Sequence, residues 1–288
     1  MKRIIISCCL LTIVILGILL LSFLPKSEKI FFPREGETKV LDETKINNEI
    51  EVLSKQLSLD PNNIKLAVEL GIYYFIKGPQ YYDKAINLLY DAWELGSTDT
   101  RIFYYLGCMY EFLKLYELSA QEYIKFLNNF PQDIEVLLRL GNVYYKQNKI
   151  EEAKNAYKEV LKIDKNNIVA LANLGYIFLN QDDYLSAQEY FIRVIEIVKR
   201  KNLDIPRNIN FYLGKIFYIN KNFETAKIYF EREKEKYPDN TENTIYLAKT
   251  YYELKNFKES YSLLKELIEI FPQDKELRRL KYKIEKLL

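Results

Sequence analysis

The chain has no histidine among its 288 residues. Histidine is the usual general base and metal ligand near neutral pH, so Ser–His and Cys–His catalysis and most zinc sites are excluded. Cysteine is almost as scarce, with only Cys8, Cys9 and Cys108. The first two lie in an N-terminal apolar run, so no disulfide can form within the body, and cysteine usage does not report the redox compartment. A lone Cys108 reads as a small apolar filler rather than a nucleophile. Nine glycines and eight prolines are too few for the turns of an all-β protein of this length. Neither sign of charge dominates: 42 basic residues face 40 acidic ones, and Lys2 and Arg3 account for the excess. A neutral body argues against nucleic acid as a partner. There is no glycine-rich phosphate loop and no cluster of metal-ligand residues, so no cofactor or metal is expected. What the chain does have is 49% hydrophobic and 15% aromatic residues, enough for a packed core and too apolar for a disordered protein.

The N-terminus opens Met1-Lys2-Arg3 and then runs 21 residues, Ile4 to Leu24, without a charge. As a helix rising about 1.5 Å per residue this run would span the ~30 Å hydrocarbon layer. It is longer than the apolar region of a cleaved signal and lacks a small-residue cleavage site, so residues 1–24 are expected to be a signal anchor. A cleaved signal and a lipoprotein, the latter from the loose lipobox Ile5-Ile6-Ser7-Cys8, are the alternatives. Lys2 and Arg3 place the N-terminus in the cytoplasm and the body outside it, in the periplasm of a double-membrane bacterium. Residues 25–40 carry Pro, Gly and mixed charge without periodicity and read as a tether.

From there a pattern recurs. Gly71, Gly107, Gly141, Gly175, Gly214 and Ala248 follow one another in steps of 36, 34, 34, 39 and 34 residues. Each follows a leucine, and each is followed three residues later by Tyr74, Tyr110, Tyr144, Phe178, Phe217 or Tyr251. Twelve residues on comes Ser119, Ala153, Ala187, Ala226 or Ser260, with Ala85 offset by two, and four further on a large apolar residue. The small positions suit a close approach of two helices, and the aromatics fill the space beside it. Units end on Phe130-Pro131-Gln132-Asp133, Tyr237-Pro238-Asp239-Asn240 and Phe271-Pro272-Gln273-Asp274, where proline stops one helix and Asp or Asn caps the next. Gly78-Pro79 lengthens the first unit's internal turn. An insertion near Lys201–Pro206 is expected to extend the fourth unit's second helix and loosen the turn that follows.

The order Leu140-Gly141, Tyr144, Ala153, Tyr157 resembles the tetratricopeptide repeat (TPR), a helix–turn–helix unit. The resemblance covers about residues 41–288 and implies an all-α fold: a right-handed superhelical solenoid, here joined to an N-terminal transmembrane helix. It implies a capping helix at 41–63, six repeats (about 64–99, 100–133, 134–167, 168–206, 207–240 and 241–274) and a C-terminal cap at 275–288.

In this family the ligand faces the first helix of each unit. The matching positions are Lys65, Val68, Ile72, Phe75 and Ile76; Arg101, Tyr104, Cys108, Glu111 and Phe112; and Glu135, Leu138, Asn142, Tyr145 and Lys146. The later units supply Val169, Ala172, Tyr176, Leu179 and Asn180; Asn208, Phe211, Lys215, Tyr218 and Ile219; and Glu242, Ile245, Lys249, Tyr252 and Glu253. Eight aromatics there, Phe75, Tyr104, Phe112, Tyr145, Tyr176, Phe211, Tyr218 and Tyr252, suit an extended peptide unless neighbouring helices bury them. Asn142 and Asn173 match the two asparagines of the family's carboxylate clamp. Leu138, Asn208 and Tyr212 stand where its cations belong, so capture of a C-terminal carboxylate is not expected. Repeats and caps leave no room for a catalytic domain. The expected function is a non-catalytic, membrane-tethered scaffold that binds a protein or peptide partner and organises or assembles an envelope complex. A self-associating spacer and a regulatory subunit of an enzyme are the alternatives.

Overall fold

The computed structural model describes residues 32–40 and 42–288. The signal-anchor run 4–24 and residues 25–31 of the stretch read as tether lie outside them. Among the described residues no helix is long and apolar enough to cross a membrane. Regular structure is entirely helical there: fourteen α-helices, a 3-10 turn at Glu35–Val40 and another at Pro79–Tyr81. The chain divides into two compact units, residues 1–105 and 106–288.

The described part of the first unit holds α1 (Glu43–Leu59), α2 (Ile64–Lys77), α3 (Tyr82–Glu94) and the start of α4 (Arg101–Phe112). Asn63 caps α2 by accepting from the Leu66 N–H. Gly78, at a φ of 117°, then turns the chain into Pro79. Gly71 is a point of close approach, because a Cβ there would lie 2.8 Å from the Leu89 side chain. Arg101, almost fully buried, forks its guanidinium between Asp99 and Glu69 at 2.7 and 2.5 Å. This pairing ties the entry of α4 to α2 and leaves the buried cation compensated.

The second unit continues with α5 (Tyr116–Asn129), α6 (Ile134–Lys146), α7 (Ile150–Ile163), α8 (Ile168–Asn180), α9 (Tyr184–Lys201), α10 (Ile209–Ile219), α11 (Phe223–Lys236), α12 (Thr241–Glu253), α13 (Phe257–Ile270) and α14 (Lys275–Glu285). Consecutive helices pack antiparallel as hairpins, and each hairpin packs on the next. The small residues sit where the register placed them. A Cβ on Gly141, Gly175 or Gly214 would lie 2.6 Å from the ring of Tyr157, Phe191 or Phe230. Where serine replaces alanine on the second helix, its hydroxyl needs an acceptor in the dry interface. Ser119 Oγ donates to the Gly107 carbonyl at 2.9 Å and Ser260 Oγ to the Ala248 carbonyl at 2.7 Å. The asparagines and aspartates after the stop residues do cap: Asp133, Asn167, Asn240 and Asp274 each accept from a backbone N–H of the helix they precede.

The turn inside each hairpin has a device the sequence hides. Lys114, Asn148, Asp182, Lys221 and Lys255 all adopt left-handed φ values of 58–61°. The next residue's N–H closes back on the helix, as from Lys149 to the Tyr144 carbonyl at 2.9 Å. The second insertion behaves partly as expected. Helix α9 runs 18 residues against 14 for α7. The loop after it is tied rather than loose: Lys236 Nζ lies 2.7 Å from Asp204 Oδ1, and the Tyr237 hydroxyl donates to the Ile205 carbonyl at 3.1 Å.

Candidate functional site

The hairpin stack of the second unit opens a pocket of about 360 Å³ along α6, α8 and α10. Asn142, Tyr145 and Lys146 reach it from α6, and Asn173, Tyr176, Leu179 and Asn180 from α8. Asn208 and Tyr212 reach it from the start of α10, and Tyr157 and Ile177 complete it. Lys146 is the one formally charged lining residue. Side-chain bonds and ring contacts hold the walls in place. Glu111 gathers three donors: the Tyr123 hydroxyl at 2.7 Å, Arg139 Nη1 at 3.1 Å and Asn142 Nδ2 at 3.2 Å. With Nδ2 so used, the Asn142 carbonyl oxygen is left as an acceptor. Asn180 Nδ2 donates to the Tyr145 hydroxyl at 2.7 Å, bridging α8 and α6. Tyr176 is edge-on to Tyr212, with ring centroids 5.3 Å apart, and rests on Phe191 at 5.2 Å.

Asn208 shows most clearly how the core positions the site. It sits at a left-handed φ of 71° before α10. Its N–H donates to the fully buried carboxylate of Glu233 at 2.9 Å, and its side-chain oxygen accepts from Asn240 at 3.1 Å. Asn173 lines the pocket and makes no side-chain hydrogen bond among the described residues, so its amide is uncommitted. Burial pushes the Tyr176 phenol up to about 12, with Tyr212 and Glu233 adding to the effect. Burial likewise raises Tyr157 and Tyr212. These phenols stay neutral near pH 7 and act as hydrogen-bond donors rather than acids or bases. The amides and phenols of this lining offer both donors and acceptors, which can bind a peptide backbone.

Four of the ten sequence-expected groove residues meet here: Asn142, Tyr145, Asn173 and Tyr176. Tyr218 and Tyr252 instead line a second pocket of about 310 Å³ toward α14, together with Lys249, Glu253, Glu276, Arg279, Leu280 and Lys283. Its cations are partly spent, as in the 2.7 Å pair of Lys249 and Glu276. Phe112 is 54% exposed and lines neither pocket. Three of the expected residues are buried and line no open part of a groove, which corrects the expectation for them. Phe75 is 3% exposed and stacks on Tyr82 at 5.6 Å, because the lengthened first turn lays Tyr82 over it. Phe211 is 2% exposed, packed between Phe230 and Tyr246. Tyr104 is 0% exposed because Phe32 and Arg34, from the stretch read as tether, cover it. Asn180 and Asn208 do line the pocket. Both hold ligand-facing positions in the register, which a reading by aromatic content passed over. Tyr212, one residue out of that register, had its signal only as the residue standing at a cation position of the carboxylate clamp.

A TPR repeat model matches residues 116–182, and two tetratricopeptide-repeat models match 168–197 and 218–284. A curated relative, the uncharacterized protein ycf37 of Guillardia theta, is 32% identical over 101 residues, which is 33% of this chain and 56% of that protein. The chain thus spans little more than half of that relative. The structure from a functional characterization of Pseudomonas aeruginosa pilF superposes with a TM-score of 0.59 at 17% identity, over 78% of this chain and 98% of that one. YrrB, described as a TPR protein with an unusual peptide-binding site, gives 0.55 at 18% identity, over 67% and 97%. MamA gives 0.50 at 23% identity, over 55% and 91%. At these identities the likeness to solved structures is one of fold. The three repeat models together span just over half of the chain, which belongs to the tetratricopeptide-repeat family.

Proposed function

We propose that this chain is a non-catalytic scaffold that binds an extended peptide segment of a protein partner in the pocket along α6, α8 and α10. The observation that carries the reading is the uncommitted amide of Asn173, flanked by the Asn142 carbonyl, the fixed Asn208 and the phenols of Tyr145, Tyr176 and Tyr212. An extended peptide offers one backbone donor and one acceptor per residue, and amides that are held in place match both. Aromatic faces beside them would take alternate side chains. The peptide-binding site described for YrrB, a protein of the same fold, supports this reading.

The scaffold is tethered to a membrane through residues 4–24, with its N-terminus cytoplasmic and the repeats outside the cytoplasm, where it organises or assembles an envelope complex. The charge-free run and the preceding Lys2 and Arg3 support this part. Protease added to spheroplasts, or to cells whose outer membrane has been permeabilised, tests it: digestion of the repeats is expected, and full protection while the inner membrane stays sealed would overturn the topology. A photo-crosslinking residue at Asn180, on the exposed rim, tests the pocket in the native host. Capture of a discrete partner that Asn173→Ala abolishes is expected. Capture indifferent to that change would sink groove binding and favour a partner elsewhere on the chain.

A further inference from the structure

In the first unit the residue at a ligand-facing position, Tyr104, is already engaged by a short segment of the same chain, about 70 residues upstream, that runs into the 3-10 turn at Glu35–Val40. The Phe32 ring meets Tyr104 edge-on at 5.2 Å and Tyr105 at 5.7 Å. The Arg34 guanidinium lies 4.2 Å from the Phe32 ring centre and 4.6 Å from that of Tyr104. Two phenols then read the backbone of the segment. The Tyr105 hydroxyl donates to the Pro33 carbonyl, and the Tyr104 hydroxyl accepts from the Glu35 N–H, both at 3.0 Å. Phe75 packs behind, 4.8 Å from Tyr105.

Several features make this a ligand-like contact rather than one more core contact. The recognition is that of a bound peptide: one aromatic anchor, one cation on aromatic faces and two backbone bonds from side chains. Phe32 and Arg34 keep part of their surface in solvent, whereas Tyr104 and Tyr105 have none. The segment also holds its own shape. The Glu37 N–H donates to the Arg34 carbonyl at 2.8 Å, the Arg34 N–H to Glu37 Oε2 at 3.0 Å, and Thr38 Oγ1 to the Glu35 carbonyl at 2.8 Å. A peptide with that turn arrives preorganised.

We propose that the Tyr104–Tyr105 slot is a peptide-binding site for an aromatic–proline–arginine segment, and that its resident ligand is the chain's own Phe32–Glu35. The segment is held in cis and exchanges for the same sequence supplied in trans. The proposal is independent of the pocket along α6, α8 and α10. A short covalent link gives an effective concentration on the order of millimolar, so a free peptide competes poorly until the resident segment is weakened.

The test uses a fluorescent peptide of residues 30–40 and the full chain in detergent, read by anisotropy. Saturable binding is expected to the F32A/R34A variant, at least about tenfold tighter than to the unaltered chain. A peptide carrying the same two alanines is expected not to bind. Absence of saturable binding to a variant that keeps its helical circular dichroism would overturn the proposal, as would equal binding to variant and unaltered chain. Should that variant fail to fold, a protease site inserted after Val40 severs the link in the otherwise unaltered chain. Displacement of the cut segment by excess peptide supports exchange, and retention against that excess contradicts it. A dimer of the unaltered chain with swapped segments would overturn the cis arrangement.

Discussion

The two units use one register in opposite ways. In residues 32–105 the ligand-facing Phe75 and Tyr104 are aromatic, and the chain covers both with its own atoms. In residues 106–288 the corresponding register carries Asn142, Tyr145, Asn180 and Asn208, and these leave a pocket open. An apolar ring on a groove gains by taking any apolar cover within reach, at roughly 25 cal/mol per Å² of apolar surface buried. An asparagine gains nothing by burial unless every bond is replaced. Polar lining therefore goes with the part of the groove that stays open, whereas an aromatic at a ligand-facing position can be covered in either unit, as Phe211 is in the second.

The largest expected effect separates a covered aromatic from an open one. Tyr104→Ala removes a fully buried ring and should destabilise the first unit by about 3–5 kcal/mol in urea unfolding. Tyr145→Ala, at the pocket, should cost about 1 kcal/mol or less. Equal costs would erase the contrast between the units. Next comes Gly175→Ala, which places a methyl 2.6 Å from the Phe191 ring beneath the pocket. A loss of about 1–3 kcal/mol is expected from the forced repacking, read as a lower denaturant midpoint with unchanged slope.

A pH titration sharpens the same contrast. The folded pKa of Tyr176, about 12, lies above its ordinary value of 10.0. The folded state holds that proton while the unfolded chain has begun to lose it. The contribution of this group is therefore present in full below pH 10 and is lost as pH rises toward about 12. Phenolate absorbance rising together with the loss of helix in that window is the check; a normal titration in the folded chain would contradict the burial of this wall. The smallest effect concerns the left-handed turns. Lys221→Gly or Lys255→Gly relieves a side chain at a φ near 60° and should stabilise the second unit by about 0.5–1 kcal/mol in thermal melts.

Those turns also show where reading the sequence stopped. Helix ends, caps and close approaches were legible, because Asp133, Asn167, Gly141 and Gly175 act through local chemistry that each residue type announces. The left-handed turn residues were not, since a lysine at that φ looks like any surface lysine. The candidate site was half legible. The repeat register gives the face on which Asn142, Asn173 and Tyr176 lie. It does not give what covers a position, because cover comes from residues distant in sequence. Phe211 is covered by Tyr246, from the next hairpin, and Tyr104 by a segment whose lack of periodicity suggested only a tether. Asn208 needed the buried Glu233, a charge in a helix whose other acids are ordinary surface residues.

The central claim is that the uncommitted amide of Asn173 grips the partner. The most direct test is calorimetric affinity of the crosslink-identified partner for the unaltered chain and for Asn173→Ala, with melting temperature measured on both. The account predicts at least about tenfold weaker binding, roughly 1.4 kcal/mol, at an unchanged melting temperature. Equal affinity in the two proteins would contradict it.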